Sequence, residues 1–405
     1  METIAGIKRF MDDNADGMIE LQELLTSIPA LAPENNGDGE LKKANALKDW
    51  LIKRGFDNID VYNAPDKRVT SGVRPSIVVT VQGLEKQAIW IMAHLDVVPP
   101  GDLSAWNTNP WQCVKKGSKL FGRGCEDNQQ GLTSAVFAAL YFVENNITPR
   151  YTIKLLFVAD EENGSTYGVN WLIENTDLFN KEDYVIIPDG GDKNGVNIEI
   201  AEKNILWLRF HVLGKQAHGS RPDTGNNTYL ASCDLALRIN DFENKFNKTD
   251  SLFSPDYSTF QPTKHESNVE GVNIIPGEDI FYVDCRIIPT YTIEDVYAEV
   301  NKQCKIVEDK YGVKISYTSL QESESQQTSK DSKIVEILSS AIKKAHNQDT
   351  QCIGIGGGTV AGDLRRIGID CAVWSTLDNI AHQPNEYCLI DNMVKDAVTL
   401  AVIFI

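Results

Sequence analysis

The chain has 405 residues, 42% of them hydrophobic, and a formal net charge of −18. That length is long for a single core and predicts two domains, or one large domain with an insertion. The charge argues against a nucleic-acid partner, because phosphate binding needs clustered Lys and Arg, and no run of about 18 apolar residues marks a membrane span.

The opening METIAGIKRFMDDNADG carries acids where a signal peptide needs an apolar core, so a cytoplasmic location is expected. The eight cysteines (Cys113, Cys125, Cys233, Cys285, Cys304, Cys352, Cys371, Cys388) never form a C-x-x-C pair. They are expected as reduced core residues rather than a disulfide framework or a zinc knuckle. From Ile4 to Ser27 the apolar residues Ile7, Phe10, Met11, Met18, Leu21, Leu24 and Leu25 recur at helical spacing. Inside that stretch Asp12, Asn14, Asp16, Gly17, Ile19 and Glu23 satisfy the calcium-loop pattern. Such loops normally pair with a second one, and this chain has none, so a polar helix face interrupted by a glycine is the simpler reading.

A second helix within 35–56 and strands in DNIDVYN and SIVVTVQG follow. The run Ala88–Ala93 reads as a strand buried on both faces; it ends at His94-Leu95-Asp96, and Pro99-Pro100-Gly101 stop it. In KLFGRGCEDNQQGLTSAVFAALYFVENN, Gly122 and Gly124 permit a tight turn, which leaves Asp127 just before a helix. Ile153–Ala159 forms another buried strand ending in Asp160-Glu161-Glu162, three acids that repel one another without a cation to share. Strand Tyr184–Ile187 ends in Pro188-Asp189-Gly190-Gly191.

From Ile205 to Thr318 the pattern changes. A one-sided strand (LWLRFHVLG), a helix over 227–246, strands in VEGVNIIPG and DIFYVDCRIIP, helix Thr292–Tyr311 and strand VKISYTS give the β-α-β-β-α-β order of a ferredoxin-like module. The expected organisation is a main domain of residues 1–204 and 319–405 with an inserted α+β module at 205–318. The main domain resumes with helix Ile334–His346, the glycine-rich GIGGGTVAG, strand CAVWST and a final helix from Asp391.

Strands alternating with helices predict an α/β domain with a largely parallel sheet and its ligands at the carboxyl ends of the strands. His94, Asp127, Glu161, Glu162, Asp189 and His382 all fall at or just beyond such ends. Imidazoles mixed with carboxylates suit zinc, with cobalt or manganese as substitutes. A metal pair about 3.5–4 Å apart activates water and polarises a carbonyl, and a carboxylate that binds no metal moves the proton. The tandem Glu161-Glu162 offers one of each.

At MAHLDVVPPGD, FGRGCEDNQQG, ADEENGS, IPDGG and AHQPNEY the sequence resembles the co-catalytic zinc deacylases and peptidases of metallopeptidase family twenty. Its overall pattern is closest to the desuccinylase and deacetylase branch. The resemblance implies two zinc ions, with Asp127 bridging, His94 and Asp189 on one ion, and Glu162 and His382 on the other. It implies Glu161 as the general acid/base and Asp96 as the group that orients the His94 imidazole. It makes 1–204 and 319–405 the catalytic, metal-binding domain and matches the inserted module, 205–318, to the family's lid, which also mediates dimerisation. His218 matches a lid histidine that steadies the oxyanion in the partner's active site. Asn273 and Arg286 match residues that help bind substrate, and Gly356, Gly357, Gly358 and Thr359 match a loop whose amides receive a substrate carboxylate.

Two departures bear on substrate choice. Asn128-Gln129-Gln130 follow Asp127 where many relatives carry a lysine, and Asp189 stands where desuccinylases and deacetylases usually carry glutamate. The expected function is hydrolysis of an amide beside a free carboxylate, as in an N-acetyl or N-succinyl amino acid, by a homodimer acting on a small molecule. The rivals are a dipeptidase, aminopeptidase or carboxypeptidase with the same metals, and a non-catalytic binding protein that keeps the fold.

Overall fold

Four strands with nearly unbroken apolar runs form the middle of the main sheet, and the reason is visible in their burial. Every residue of strand Ala88–His94 is buried, so each face of the sheet needs a covering layer. The structure is a computed structural model and describes residues 3–405. Among these residues the main sheet has eight strands, in the order Ile59–Pro65, Val73–Val81, Thr152–Val158, Ala88–His94, Tyr184–Asp192, Asp370–Thr376, Asn197–Glu202 and Gln351–Ile355. Ala88–His94 runs parallel to both neighbours, and Tyr184–Asp192 runs parallel to Asp370–Thr376. The outer pairings of Ile59–Pro65 with Val73–Val81, and of Val73–Val81 with Thr152–Val158, are antiparallel.

Alternation divides the central strand between two layers. Trp90 and Met92 join Leu156, Val185, Val373 and Leu364 in a core on one face. The covering helices there are Val169–Asn175 and Val360–Arg366. Helix Gln129–Glu144, buried along almost its whole length, packs with Ile390–Val402 and against the central strand. Asp183 fixes the start of that strand, because its carboxylate accepts from the Ala88 amide (2.9 Å) and from Trp90 Nε1 (3.0 Å).

The chain divides into two compact units, one of residues 1–200, 328–352 and 359–405 and one of residues 201–327 and 353–358. The second has a four-stranded antiparallel sheet in the order Thr259–His265, Glu278–Ile287, Asn204–Leu213, Lys314–Ser323. With helices Thr228–Asn240 and Ile293–Tyr311 this is the ferredoxin-like arrangement. Phe210 and Phe281 stack at 4.8 Å in its core.

One sequence expectation needs correction. The second lid strand is Thr259–His265, not 269–277, of which only Ile274–Ile275 is extended. Thr259–His265 is an edge strand, mostly exposed, with a register shift between Pro262 and Lys264. A proline and a polar composition are tolerated only at such an edge. The calcium-loop stretch is helical apart from Asn14, within helices Ile4–Asp13 and Ala15–Thr26. This agrees with the polar helix face rather than a calcium loop, and Asn14 Oδ1 accepts from Arg54 Nη2 at 3.2 Å. None of the eight cysteines is in a disulfide; five are buried, whereas Cys233 is exposed.

Candidate metal centre

Parallel pairing brings the functional side chains to one rim. His94 lies opposite Val158 in the register of the two strands, so the turn that follows Val158 starts beside it. On the other side Ile91 pairs with Ile186, and continuing that register brings His94 level with Asp189. The turn after Val158 places Asp160 in the left-handed region (φ 64°) and continues as the short helical turn Glu161–Asn163. Asp160 points away from the rim, where its carboxylate pairs with buried Arg74 at 3.3 Å. Of the three tandem acids, one therefore faces a cation that it shares with Glu40, and Glu161 and Glu162 are left for the site.

Asp127 stands between two imidazoles. Its Oδ1 is 2.9 Å from His94 Nε2 and its Oδ2 is 3.0 Å from His382 Nε2. His382 Nε2 is also 3.0 Å from Glu162 Oε2, and His94 Nε2 is 3.8 Å from Asp189 Oδ1. Two clusters of ligand-capable atoms result, His94 with Glu161 and Asp189, and His94 with Asp127 and Glu162, each with its atoms within 4.8 Å of one another.

Charge in this cluster is unbalanced. Burial pushes the Asp189 carboxyl up to about 7, against the pull of His94. Burial and the nearby Asp189 charge push Glu161 well above the carboxylate range. The hydrogen bonds to Asp127 and Glu162 raise His382 to about 10. Burial pulls His94 down, yet Asp189 and Asp127 carry it well above the ordinary imidazole value. Burial works against ionisation of Asp127 too, and the bonds from His382 and His94 overcome it and lower its pKa. Acids driven to hold protons beside imidazoles driven to hold theirs are the signature of a missing positive charge. Glu162 adds a geometric sign, since its Oε1 is buried and has no hydrogen-bond partner. A divalent cation satisfies both demands, and nitrogen and oxygen donors of this kind fit one.

Asp96 differs from its expected place. His94 Nδ1 faces the backbone carbonyl of Asp96 at 2.9 Å, and the nearer carboxylate oxygen is 3.6 Å away. The Asp96 carboxylate instead accepts from the amides of Glu161 and Glu162, both at 3.1 Å. Asn128 is a participant that the sequence reading passed over. Its Nδ2 donates to Asp189 Oδ1 (2.6 Å) and to the Pro188 carbonyl (2.8 Å), which fixes one carboxylate oxygen of the rim. At the next residue Gln129 turns inward, and its Oε1 accepts from Thr26 Oγ1 at 2.9 Å.

In the second unit, His218 closes the two-residue strand Ala217–His218, paired with Ile274–Ile275, and the Gly219 amide donates to the Asn273 carbonyl at 2.7 Å. His218 Nδ1 accepts from the Ser220 amide at 3.1 Å, so a neutral ring carries its proton on Nε2. Arg286 is not a free cation. Its Nε and Nη2 donate to Asp284 (2.7 and 3.0 Å), and its Nη1 donates to the Gly356 carbonyl (3.0 Å). Thr359 caps helix Val360–Arg366, accepting from the Ala361 amide at 3.1 Å.

Comparison with known proteins converges on the same chemistry. The model for peptidase family M20/M25/M40 matches residues 90–404. An uncharacterized metallohydrolase of Methanocaldococcus jannaschii is 39% identical over 401 residues, 95% of this chain and 98% of its own. A succinyl-diaminopimelate desuccinylase of Wolbachia from Brugia malayi is 24% identical, covering 93% and 90%. Among solved structures, a Staphylococcus aureus tripeptidase superposes with a TM-score of 0.77 at 19% identity, covering 96% and 98%. The span of the family match and the relative at 39% identity show the family: the chain belongs to peptidase family M20/M25/M40 and is a metallohydrolase.

Proposed function

We propose that the chain is a two-zinc amidohydrolase that cleaves an amide bond beside a free carboxylate, with N-acetyl or N-succinyl amino acids as its substrate class. The observation that carries this reading is Asp127, whose two oxygens each face a different imidazole. A carboxylate so placed suits a bridge, with His94 and Asp189 on one side and Glu162 and His382 on the other. When bound, the metals supply Lewis acidity, lowering the pKa of water and polarising the carbonyl.

The protein's own residues do the rest. Glu161 takes the proton of the attacking water and delivers it to the leaving nitrogen, so that amide and water become carboxylate and amine. A group that must hold and release one proton is served by a raised pKa, which burial gives Glu161. Asp96 keeps Glu161 and Glu162 in place through their amides. His218, with its proton on Nε2, suits donation to the oxyanion, and Asn273 contributes to the same subsite. The amides of Gly357, Gly358 and Thr359 receive the substrate carboxylate, and Arg286, tied to the Gly356 carbonyl, shapes that loop. Assembly is as a homodimer through the lid.

Metal content by mass spectrometry, run beside a panel of N-acetyl and N-succinyl amino acids and dipeptides, tests the reading. About two zinc per chain with turnover of the acyl amino acids is expected. Exclusive dipeptide turnover overturns the deacylase assignment, and metal binding without any turnover makes the chain a binding protein.

A further inference from the structure

Glu126, Glu386 and Arg123 are buried charged residues that the proposed reaction leaves without a role; they are 3%, 0% and 2% exposed. They connect two loops. One follows strand Lys119–Phe121 and presents Asp127; the other lies between strands Asp370–Thr376 and Tyr387–Leu389 and presents His382. The second loop is the weaker support. The His382 side chain is 55% exposed, and Asn379, His382 and Asn385 all sit in the left-handed region, with φ of 59°, 65° and 64°. A loop with this backbone needs anchors to hold one conformation.

The anchors are reciprocal. Glu126, on the first loop, accepts from amides of the second: Asp378 to Oε1 at 2.8 Å and Ile380 to Oε2 at 2.6 Å. Glu386, at the end of the second loop, accepts from amides of the first: Glu126 and Asp127 to Oε1, at 3.0 and 3.1 Å. Arg123 closes the circuit, with Nη1 donating to Glu386 Oε2 at 2.6 Å and Nη2 to the His382 carbonyl at 3.3 Å. Each loop lends a carboxylate to the other's backbone. Two of the groups held are the peptide amide of Asp127 and the peptide carbonyl of His382 themselves.

We propose that Glu126, Glu386 and Arg123 are positioning residues that fix the separation of Asp127 and His382, and thereby the affinity and geometry of the metal position these two share with Glu162. The inference rests on the two-metal reading above. The clamp grips the backbones of two ligands from that position and leaves His94, Asp189 and Asn128 alone. Its loss therefore acts most on the metal equivalent that both clamped ligands hold, and less on the one that Asp127 alone shares with His94 and Asp189.

The test is zinc titration of metal-free protein by chelator competition, with wild type, E126Q, E386Q and R123K, alongside thermal melting of each metal-free variant. Gln at 386 keeps one acceptor but turns an amide donor on Arg123, and Lys at 123 keeps the charge but loses the two-pronged reach. The expected result is a loss of about 10- to 100-fold in the affinity of one equivalent, with a distinctly smaller loss at the other, which Asp127 also touches, and melting nearly unchanged. Unchanged affinity at both equivalents in folded variants overturns the clamp. So does an equal fall at both accompanied by a lower melting temperature, which marks a purely structural role. If E386Q fails to fold, R123K and E126Q still decide. A wild-type protein that binds no second equivalent refutes the two-metal reading itself, a result distinct from the variants' behaviour.

Discussion

His94 and Asp96 meet through the backbone: Nδ1 of His94 faces the Asp96 carbonyl at 2.9 Å, while the Asp96 carboxylate takes the amides of Glu161 and Glu162. One residue thus orients the imidazole with its peptide group and holds the acidic tandem with its side chain. Asp96→Asn leaves the carbonyl in place but turns an amide donor toward one of two N–H groups. Zinc affinity and kcat/KM are expected to fall by about 10- to 100-fold while the fold is kept. Wild-type values for both in a steady-state assay and a chelator titration would show that the carboxylate does no positioning.

Glu161→Gln separates proton transfer from metal binding. The amide is isosteric, so the neighbouring carboxylates keep their places, but it cannot accept the water's proton. Turnover is expected to drop by about 10²- to 10⁴-fold with metal content unchanged by mass spectrometry. Retained turnover removes Glu161 from the role, and lost metal makes it a ligand, as its place beside His94 and Asp189 permits.

The strands that carry His94, Glu161 and Asp189 were legible because burial on both faces writes itself as an apolar run, and the polar residue that ends such a run sits on the rim. What the sequence hides is how the loops are held. Lys119–Phe121 and Tyr387–Leu389 pair with each other as three-residue strands, too short to show a period, so the proximity of Asp127 and His382 has no local signal. Asn128 and Glu386 read as ordinary polar residues because their partners are backbone groups or side chains 60 and 260 residues away. The edge strand Thr259–His265 was missed for the opposite reason, since Pro262 and exposed polar residues erase the alternation expected of a strand. Asp160 shows the limit of reading acids as a group, because it turns to Arg74, far off in sequence, and not to the rim.

Removing metal is expected to destabilise the first unit. The rim holds Asp189 and Glu161 against burial, and Glu162 Oε1 without a partner, all of which a cation relieves. Free zinc at about 100 times its Kd stabilises the folded state by about 2.7 kcal/mol. Differential scanning fluorimetry should show a lower melting temperature after chelation and recovery on adding zinc. An unchanged melting temperature counts against a metal centre.

Helix Thr228–Asn240 of the lid leaves Leu230 and Leu237 exposed at 53% and 71%, with Tyr229 and Cys233 also exposed. Residues 230, 233 and 237 follow helical spacing, so they form one stripe, and an apolar stripe of this kind marks an interaction surface. Under the proposed dimer this face is covered by a second chain. Leu237→Glu should therefore give a folded monomer by light scattering, with turnover reduced if His218 acts in the partner's site. A dimer that survives Leu237→Glu places the interface elsewhere.

Asp396 gives a pH prediction that is independent of the metal rim. It is fully buried in helix Ile390–Val402, where its Oδ2 accepts from Ser375 Oγ (2.7 Å) and the Thr376 amide (2.9 Å), and its Oδ1 has no partner. Burial pushes its carboxyl from 3.8 up to about 6, against the pull of those bonds. Between these values the unfolded chain has released the proton and the folded chain still holds it. Stability therefore falls as pH rises through that window, by about 3 kcal/mol at about 1.4 kcal/mol per unit. Asp396→Asn keeps an acceptor for Ser375 and Thr376 and has no proton to lose in this range. Other carboxylates are common to both proteins and cancel in the comparison. In urea unfolding, the variant's stability relative to wild type should grow by about that amount from pH 4 to pH 7 and then level off. A difference that stays flat across the window would mean that Asp396 titrates in the folded protein as it does in the unfolded chain.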